Sequence, residues 1–295
     1  MSIARMKDLL SSALRGGYCV GYFEAWDQYS LEACLEAAET TRSPSILGFG
    51  AAVTGQAWLD RWGVPELAVL ARRLAEMSTV PTAVLFNEAR TLDQIRRGLD
   101  SGCNAVMLDS SHLPYEENLG ATREVVALAR RHDADVEVEL GHLPDAREPG
   151  ASHAVMTDPA EAARFVRATG VDALAVSVGS VHGMAGGASS IDMERLAAIH
   201  AAIPVPLVLH GGSGIPGRLI PEAAARGVAK INYGVRMKLA FLEGIREGAA
   251  SVQPDADIHA FIGAKTEKDV MVRGQARVRE LVSGLMKTYG MAGKA

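Results

Sequence analysis

The chain has 295 residues, 48% of them apolar and 22% charged, a balance that excludes a disordered polymer and suits one large domain or two ordinary ones. Thirty lysines and arginines against 35 aspartates and glutamates give a net charge of −5 with no basic block, which argues against a nucleic-acid partner. No apolar run approaches the roughly 18–20 residues of a membrane span, and the opening MSIARMKDLLSSALRGGY spaces its apolar residues helically, without the features of a signal peptide.

The segment 2–15 reads as a leading helix. The first strand is expected at 18–23 (YCVGYF), followed by a helix over 31–41. A strand at 45–49 (SILGF) leads into the link 50–63, whose Trp58 and Trp62 suit a lid or an oligomer contact, and then into a helix over 65–77. Strand 82–86 (TAVLF) precedes a helix over 92–101 that opens on the capping pair Thr91 and Gln94. Strand 105–108 (AVML) precedes helix 116–131. Strand 136–140 (VEVEL) precedes helix 158–169, with Pro159 in its first turn. Strands 173–178 (ALAVSV), 206–210 (PLVLH) and 229–233 (AKINY) precede helices over 192–203, 220–227 and 235–248, and further helices are expected over 258–290.

Eight strands alternating with eight helices form the pattern of a (β/α)8 TIM barrel, here with an added N-terminal helix and extra C-terminal helices. An open doubly wound sheet is the alternative. The first strand, however, is followed by EAWDQYS rather than the glycine-rich turn that such sheets often carry. No Pro/Ser/Gly-rich linker divides the chain. One domain, 1–295, is therefore expected, with the barrel over about 16–250 and a helical extension over about 255–290. Cys19, Cys34 and Cys103 are too scattered for a disulfide framework, which leaves a cytoplasmic protein with reduced thiols as the expectation.

Active sites of such barrels sit at the C-terminal ends of the strands. The residues there are Glu24, then Asn87 and Glu88, then Asp109 to His112, Glu139, His182 with Gly183, His210 with its glycines, and Asn232 to Gly234. His182 and His210 taken together suit a metal or phosphate site, because imidazole is a common ligand of Zn, Mn and Fe. His210 alone suits a cap on the barrel core equally well. The turn Gly211-Gly212-Ser213-Gly214 suits a phosphate cradle or a tight turn needing positive φ. Glu139, at the end of its strand, reads as the site residue, and Glu137 as lying nearer the outer layer. His112 and His142 are candidates for the rim. His132, His200 and His259 read as surface or packing residues, and His153 as a loop residue.

The stretches AVMLDSSHLPYEENLGATREVVALAR, VEVELG, TDPAEAARFVRATGVDALAVSVGSVHG and PLVLHGGSGIP resemble the class II (metal-dependent) fructose-bisphosphate and tagatose-bisphosphate aldolase family, with the likeness running from about Met6 to Leu242. The resemblance implies a TIM barrel, usually dimeric or tetrameric, that reversibly cleaves a ketose phosphate into dihydroxyacetone phosphate and an aldehyde. It implies that His182 and His210 are two of three metal ligands. It assigns phosphate binding to Gly183, Gly211, Gly212, Ser213, Asn232, Tyr233, Gly234 and Val235. Asp109 and Glu139 match carboxylates that hold an alternative metal position.

Departures fall mainly on the third strand. Asn87 stands where the family has its acid/base aspartate, and Glu88 where it has its first metal histidine. Val235 replaces a usual threonine, and MAGGASS lacks a usual lysine. Only Asp145 or Glu148 is available as the family's acidic loop residue. The set Glu88, His182 and His210 still suits a divalent metal, zinc first and Mn²⁺ or Fe²⁺ after it. Asn87, Asp109 and Glu139 are the expected catalytic residues. Asp109, His112 or Glu24 could take over the proton transfer that an amide cannot perform. Glu24, Trp26 and Asp27 either shape the acceptor pocket or form a surface turn. The expected function is a divergent class II aldolase acting on a sugar or sugar phosphate, cytoplasmic and a homodimer or homotetramer. An isomerase or epimerase on the same scaffold, and a non-catalytic sugar-phosphate binder, are the alternatives.

Overall fold

A computed structural model describes residues 3–146 and 155–295. Eight parallel strands close into a barrel in chain order: β1 (Val20–Phe23), β2 (Ser45–Gly50), β3 (Thr82–Ala89), β4 (Ala105–Leu108), β5 (Asp135–Leu140), β6 (Ala173–Val176), β7 (Leu207–Leu209) and β8 (Val228–Tyr233). The sheet closes where β1 pairs with β8, with Tyr22 opposite Asn232. The TIM barrel implied by the alternating pattern is therefore the fold. Each apolar run forms its strand because these strands are covered on both faces, by the barrel interior and by the helices outside.

The helices between strands are α2 (Gln28–Thr41), α4 (Val64–Met77), α5 (Leu92–Asp100), α6 (Tyr115–Arg131), α7 (Pro159–Thr169), α8 (Met193–Ala202), α9 (Ile220–Ala225) and α10 (Val235–Ala250). The link after β2 holds one short turn, α3 (Gln56–Trp58), which runs through a π-helical turn at Leu59–Gly63 into α4. Thr91 caps α5 as expected, accepting from Gln94 N–H at 3.1 Å, and Asp158 caps α7, accepting from Glu161 N–H at 2.9 Å. Asp27 is likewise a cap, forming a reciprocal capping box with Ser30 at the start of α2. It is thereby removed from the acceptor pocket, and Trp26 instead packs edge-on against Phe241.

Several boundaries differ from the expectation. β1 begins only at Val20, and β3 runs on to Ala89, so that Asn87 and Glu88 lie within the strand rather than after it. β6 stops at Val176 because the Ser177 N–H leaves the ladder to donate to Thr157 Oγ1 at 2.9 Å. The segment 258–290 holds a 3-10 turn (Ile258–Ala260) and a single α-helix, α11 (Val270–Thr288), rather than several helices. α11 lies outside the barrel across α2 and α10. Cys19, Cys34 and Cys103 are buried and unpaired, and burial pushes the thiols up, to about 12 at Cys19 and Cys103. No helix among the described residues is long and apolar enough to cross a membrane.

The leading helix α1 (Met6–Gly16) covers the end of the barrel opposite the strand C-termini, burying Met6, Leu9, Leu10 and Ala13. Asp135, at the start of β5 and fully buried, fastens it there. Arg5 Nη2 donates to Asp135 Oδ1 at 2.5 Å, and Lys7 N–H donates to Oδ2 at 3.0 Å. Removing that carboxylate leaves the Lys7 N–H without its acceptor and the partly buried Arg5 guanidinium with Asp133 alone, which costs about 2 kcal/mol. Asp135→Ala should therefore lower the urea midpoint clearly. An unchanged midpoint would show that α1 does not depend on this anchor.

Candidate active site

β3 sets the geometry of the barrel mouth. Phe86 pairs with Val106 and Ala89 pairs with Leu108, so three steps along β3 match two along β4. The extra residue is a β-bulge, and Glu88 sits in it at φ +50°. A regular strand would turn consecutive side chains to opposite faces. The bulge instead lets Asn87 and Glu88 both border the mouth, while Asn87 stays in register opposite Gly50 on β2. A non-glycine residue held in the left-handed region costs about 1–3 kcal/mol, which the surrounding barrel must offset.

Glu88, His182 and His210 converge as their sequence positions imply. One donor atom from each lies within 4.8 Å of the other two. His182 enters on the loop after β6, held by the loop after β5. Its N–H donates to the Pro144 carbonyl at 2.9 Å, and its carbonyl accepts from Ala146 N–H at 3.0 Å. His210 follows β7 and is fully buried, with its Nδ1 3.4 Å from Glu88 Oε1 and 3.1 Å from Glu139 Oε2.

Glu137 is nearer the centre than expected. It stands two residues from Glu139, and that spacing puts both on the same face of the strand. Both point into the barrel. His210 Nε2 lies 3.0 Å from Glu137 Oε1. Because a carboxylate accepts, Nε2 is the donor, and Nδ1 is left to face Glu88 and Glu139. Lys230, fully buried on β8, donates to Glu137 Oε1 at 3.0 Å and to Asn232 Oδ1 at 2.5 Å. The second bond turns the Asn232 amide so that Nδ2, buried without a partner among the described residues, faces the cavity.

Glu24, Glu88, Glu137 and Glu139 are all buried here against the single lysine Lys230. Burial pushes the His210 imidazole down, but the hydrogen bonds to Glu137, Glu139 and Glu88 outweigh it and hold the ring well above its ordinary value. His182 is raised in the same sense, with Glu139 and Glu88 overcoming burial. Burial pushes Glu139 up, yet its bonds to the two histidines hold it well below the carboxylate range. This surplus of buried negative charge, gathered around two imidazoles with donor atoms at ligand spacing, fits a divalent cation.

The mouth has two lobes, of about 200 and 260 Å3, which share Ala52, Glu88 and His182. The first brings together every residue expected to bind phosphate: Gly183, Gly211, Gly212, Ser213, Asn232, Tyr233, Gly234 and Val235. Glycine is required at Gly211, where φ is +71° and a Cβ would lie 2.4 Å from the Val181 carbonyl oxygen. Its turn continues into a 3-10 turn (Gly212–Gly214) rather than directly into an α-helix, and α9 begins only at Ile220. The turn after β7 therefore offers loop N–H groups, and the helix N-terminus in this lobe is that of α10, at Gly234 and Val235. Lys238 of α10 also lines this lobe.

The second lobe holds Arg90, Asp109, His112, His142 and Asp145. Arg90 pairs with Asp109 at 2.8 Å, so this expected catalytic residue is engaged by a cation. Glu148 and His153 lie outside the described residues. His132 pairs with Asp100 at 3.7 Å, away from the mouth.

Glu24 belongs to the site and is no surface turn. It is buried in the first lobe, with Oε1 lacking a hydrogen-bond partner among the described residues. Burial pushes its carboxyl up to about 8, with Glu88 acting in the same direction and the Asn87 hydrogen bond opposing.

Residues 4–294 match the protein family described as class-II fructose-bisphosphate aldolase. A protein of Geobacillus stearothermophilus named fructose-bisphosphate aldolase is 34% identical over 298 residues, covering all of this chain and 99% of the relative. The crystal structure of the YdjI aldolase from Escherichia coli K12 is similar with a TM-score of 0.83 at 28% identity, covering the whole of both chains. A fructose-bisphosphate aldolase of Campylobacter jejuni, 21% identical over 98% of this chain and 95% of its own, shares the fold with a TM-score of 0.78.

The raised Glu24 carboxyl makes a prediction for the metal-free protein. An unfolded glutamate releases its proton near 4.5, whereas folded Glu24 keeps it to about 8. Between those values the folded state binds more protons, so this group removes stability as pH rises. Glu24→Gln should therefore gain melting temperature over the parent at pH 9 and gain little at pH 5. Equal differences at both pH values would contradict a raised Glu24.

Proposed function

The chain belongs to the class II fructose-bisphosphate aldolase family, and from that premise we propose a zinc-dependent carbon–carbon lyase that works on a ketose phosphate with a dihydroxyacetone-phosphate-type donor. The observation that carries this reading is the convergence of the Glu88, His182 and His210 donor atoms beside the glycine-lined lobe. Glu88, His182 and His210 would hold the metal, and Mn²⁺ or Fe²⁺ would suit the mixed set less well than zinc. When bound, such an ion supplies a Lewis acid for the donor ketone and offsets charge that develops on its oxygens.

The chain's own groups do the rest. Loop N–H groups around Gly183, Gly211, Gly212 and Ser213, with Asn232 Nδ2, receive the donor phosphate. Val235, in place of a hydroxyl residue, offers the phosphate its backbone N–H but no side-chain hydrogen bond. Glu137 keeps His210 in the tautomer that presents Nδ1, and Lys230 holds Glu137. Glu139, held between the two histidines, keeps them oriented. Asn87 hydrogen-bonds an oxygen of the reacting carbon but moves no proton. Asp109 and the second lobe face the aldehyde half. The assembly proposed is a cytoplasmic homodimer or homotetramer, and the exposed Trp58 and Trp62 give it apolar surface to cover.

Two measurements test the reading. The purified protein should carry one zinc per chain, and Glu88→Ala and His182→Ala should each lose it. Proton NMR of dihydroxyacetone phosphate in D2O with the zinc-loaded protein should show stereospecific exchange at the hydroxymethyl carbon. Zinc binding without exchange would count against a dihydroxyacetone-phosphate aldolase and favour a different donor. Exchange with no condensation onto any aldehyde would favour the isomerase reading.

A further inference from the structure

We propose that Glu24 carries the hydroxyl proton when the carbon–carbon bond breaks or forms, an inference that rests on the aldolase reading above. A retro-aldol step needs a base at the hydroxyl of the leaving aldehyde, and an amide cannot serve. Asp145 stands across the mouth in the second lobe, and the carboxylates around the metal set are each engaged. Glu139 lies between two histidines, Asp109 pairs with Arg90, and Glu88 belongs to the proposed metal set. Glu137 is fully buried beneath them between His210 and Lys230. Glu24 has an uncharged side-chain partner, the Asn87 amide, and one carboxyl oxygen that no group among the described residues binds.

Its placement is built by three strands. Glu24 N–H donates to the Tyr233 carbonyl at 3.0 Å, and Ala25 N–H donates to the Gly48 carbonyl at 3.1 Å, which ties this stretch to β8 and β2. The side chain then crosses β2 at Gly50. A Cβ at Gly50 would lie 1.6 Å from Glu24 Oε1, so only a residue without a side chain leaves this path open. Beyond it, at the same level of the sheet, is Asn87 on β3, paired with Gly50. The carboxyl thus occupies the first lobe beside Asn87 and Glu88, where the donor's reacting carbon must lie if the metal set binds its oxygens.

The step balances as follows. In cleavage the Glu24 carboxylate takes the hydroxyl proton, the O–H pair becomes the second bond of the aldehyde carbonyl, and the electrons of the broken C–C bond remain on the donor as its enediolate. The enediolate is then protonated at carbon, and Glu24 loses its proton to solvent. Condensation runs the same transfers in reverse.

The test uses the zinc-loaded parent with Glu24→Gln, Glu24→Asp, and Glu24→Gln combined with Asn87→Asp. Three readouts separate the possibilities: zinc content, hydroxymethyl exchange of dihydroxyacetone phosphate, and its condensation with glycolaldehyde and with glyceraldehyde 3-phosphate. Glu24→Gln should keep zinc and exchange but lose about 10²–10⁴-fold in kcat for condensation, with little change in KM for the donor. Glu24→Asp should recover part of the loss. Asn87→Asp should rescue Glu24→Gln, because it puts a carboxylate where the amide now touches Glu24. Condensation by Glu24→Gln within about threefold of the parent would overturn the proposal. Loss of exchange along with condensation in both single variants would overturn it too, making Glu24 a support of the metal set. So would a parent that exchanges but condenses with neither aldehyde. A zinc-loaded parent without exchange would instead overturn the aldolase reading beneath it, and the inference with it.

Discussion

Glu137 lies fully buried between two cationic partners, with His210 Nε2 at 3.0 Å from one oxygen and Lys230 Nζ at 2.8 Å from the other. An isolated carboxylate at that depth would carry a penalty of several kcal/mol, and so would an isolated ammonium. Together they are tolerable, and the arrangement they require governs the rest of the mouth. His210 must give Nε2–H to Glu137, so its other nitrogen faces Glu88 and Glu139. Lys230 must also bond Asn232, so that amide turns its N–H into the phosphate-type lobe. One buried ion pair thereby orients both a candidate metal ligand and a candidate substrate donor.

Above this line the charge is not balanced. Glu88 and Glu139 add two more buried carboxylates, and the histidines answer by holding protons above their ordinary range. A cation relieves that stress, because it can replace the proton on an imidazole and sit against the carboxylates at once. Glu24 stands to one side, without a cation of its own, and its carboxyl is raised rather than lowered. Four carboxylates of one type thus fall into different protonation states because their neighbours differ, which is the condition for dividing ligand and proton-transfer roles among them.

The departures from the family pattern gather on β3. The bulge there holds Glu88 at positive φ and lets two consecutive residues face the mouth. Strain of this kind persists only where the surrounding structure over-determines it. Here β2 fixes one side of the strand and β4 the other. The substitution of Asn87 and Glu88 for the usual aspartate and histidine is therefore confined to one rigid ledge, while the glycine loops after β6 and β7 are constrained by backbone contacts that side chains cannot enter.

The local alternation of apolar runs and amphipathic segments was enough to give eight strands, their helices and the barrel, because each run must be buried on both faces and each helix on one. The ends of those strands were enough to nominate His182, His210 and the turn Gly211–Gly214, whereas Glu88 as a metal ligand and the rest of the lobe from Gly183 to Val235 were nominated by the family resemblance. The interior was another matter. Lys230 in AKINY looks like an ordinary polar residue on an alternating strand, and its partner Glu137 is 93 residues away. Glu24 gains its meaning from a missing side chain on β2 and an amide on β3. These contacts exist because closure brings β5, β7 and β8 to one side of the barrel and stacks β1, β2 and β3 on the other. A sequence determines what each strand can bury. Only the closed sheet decides which buried charges meet, because electrostatic interactions depend on distance through space and not along the chain.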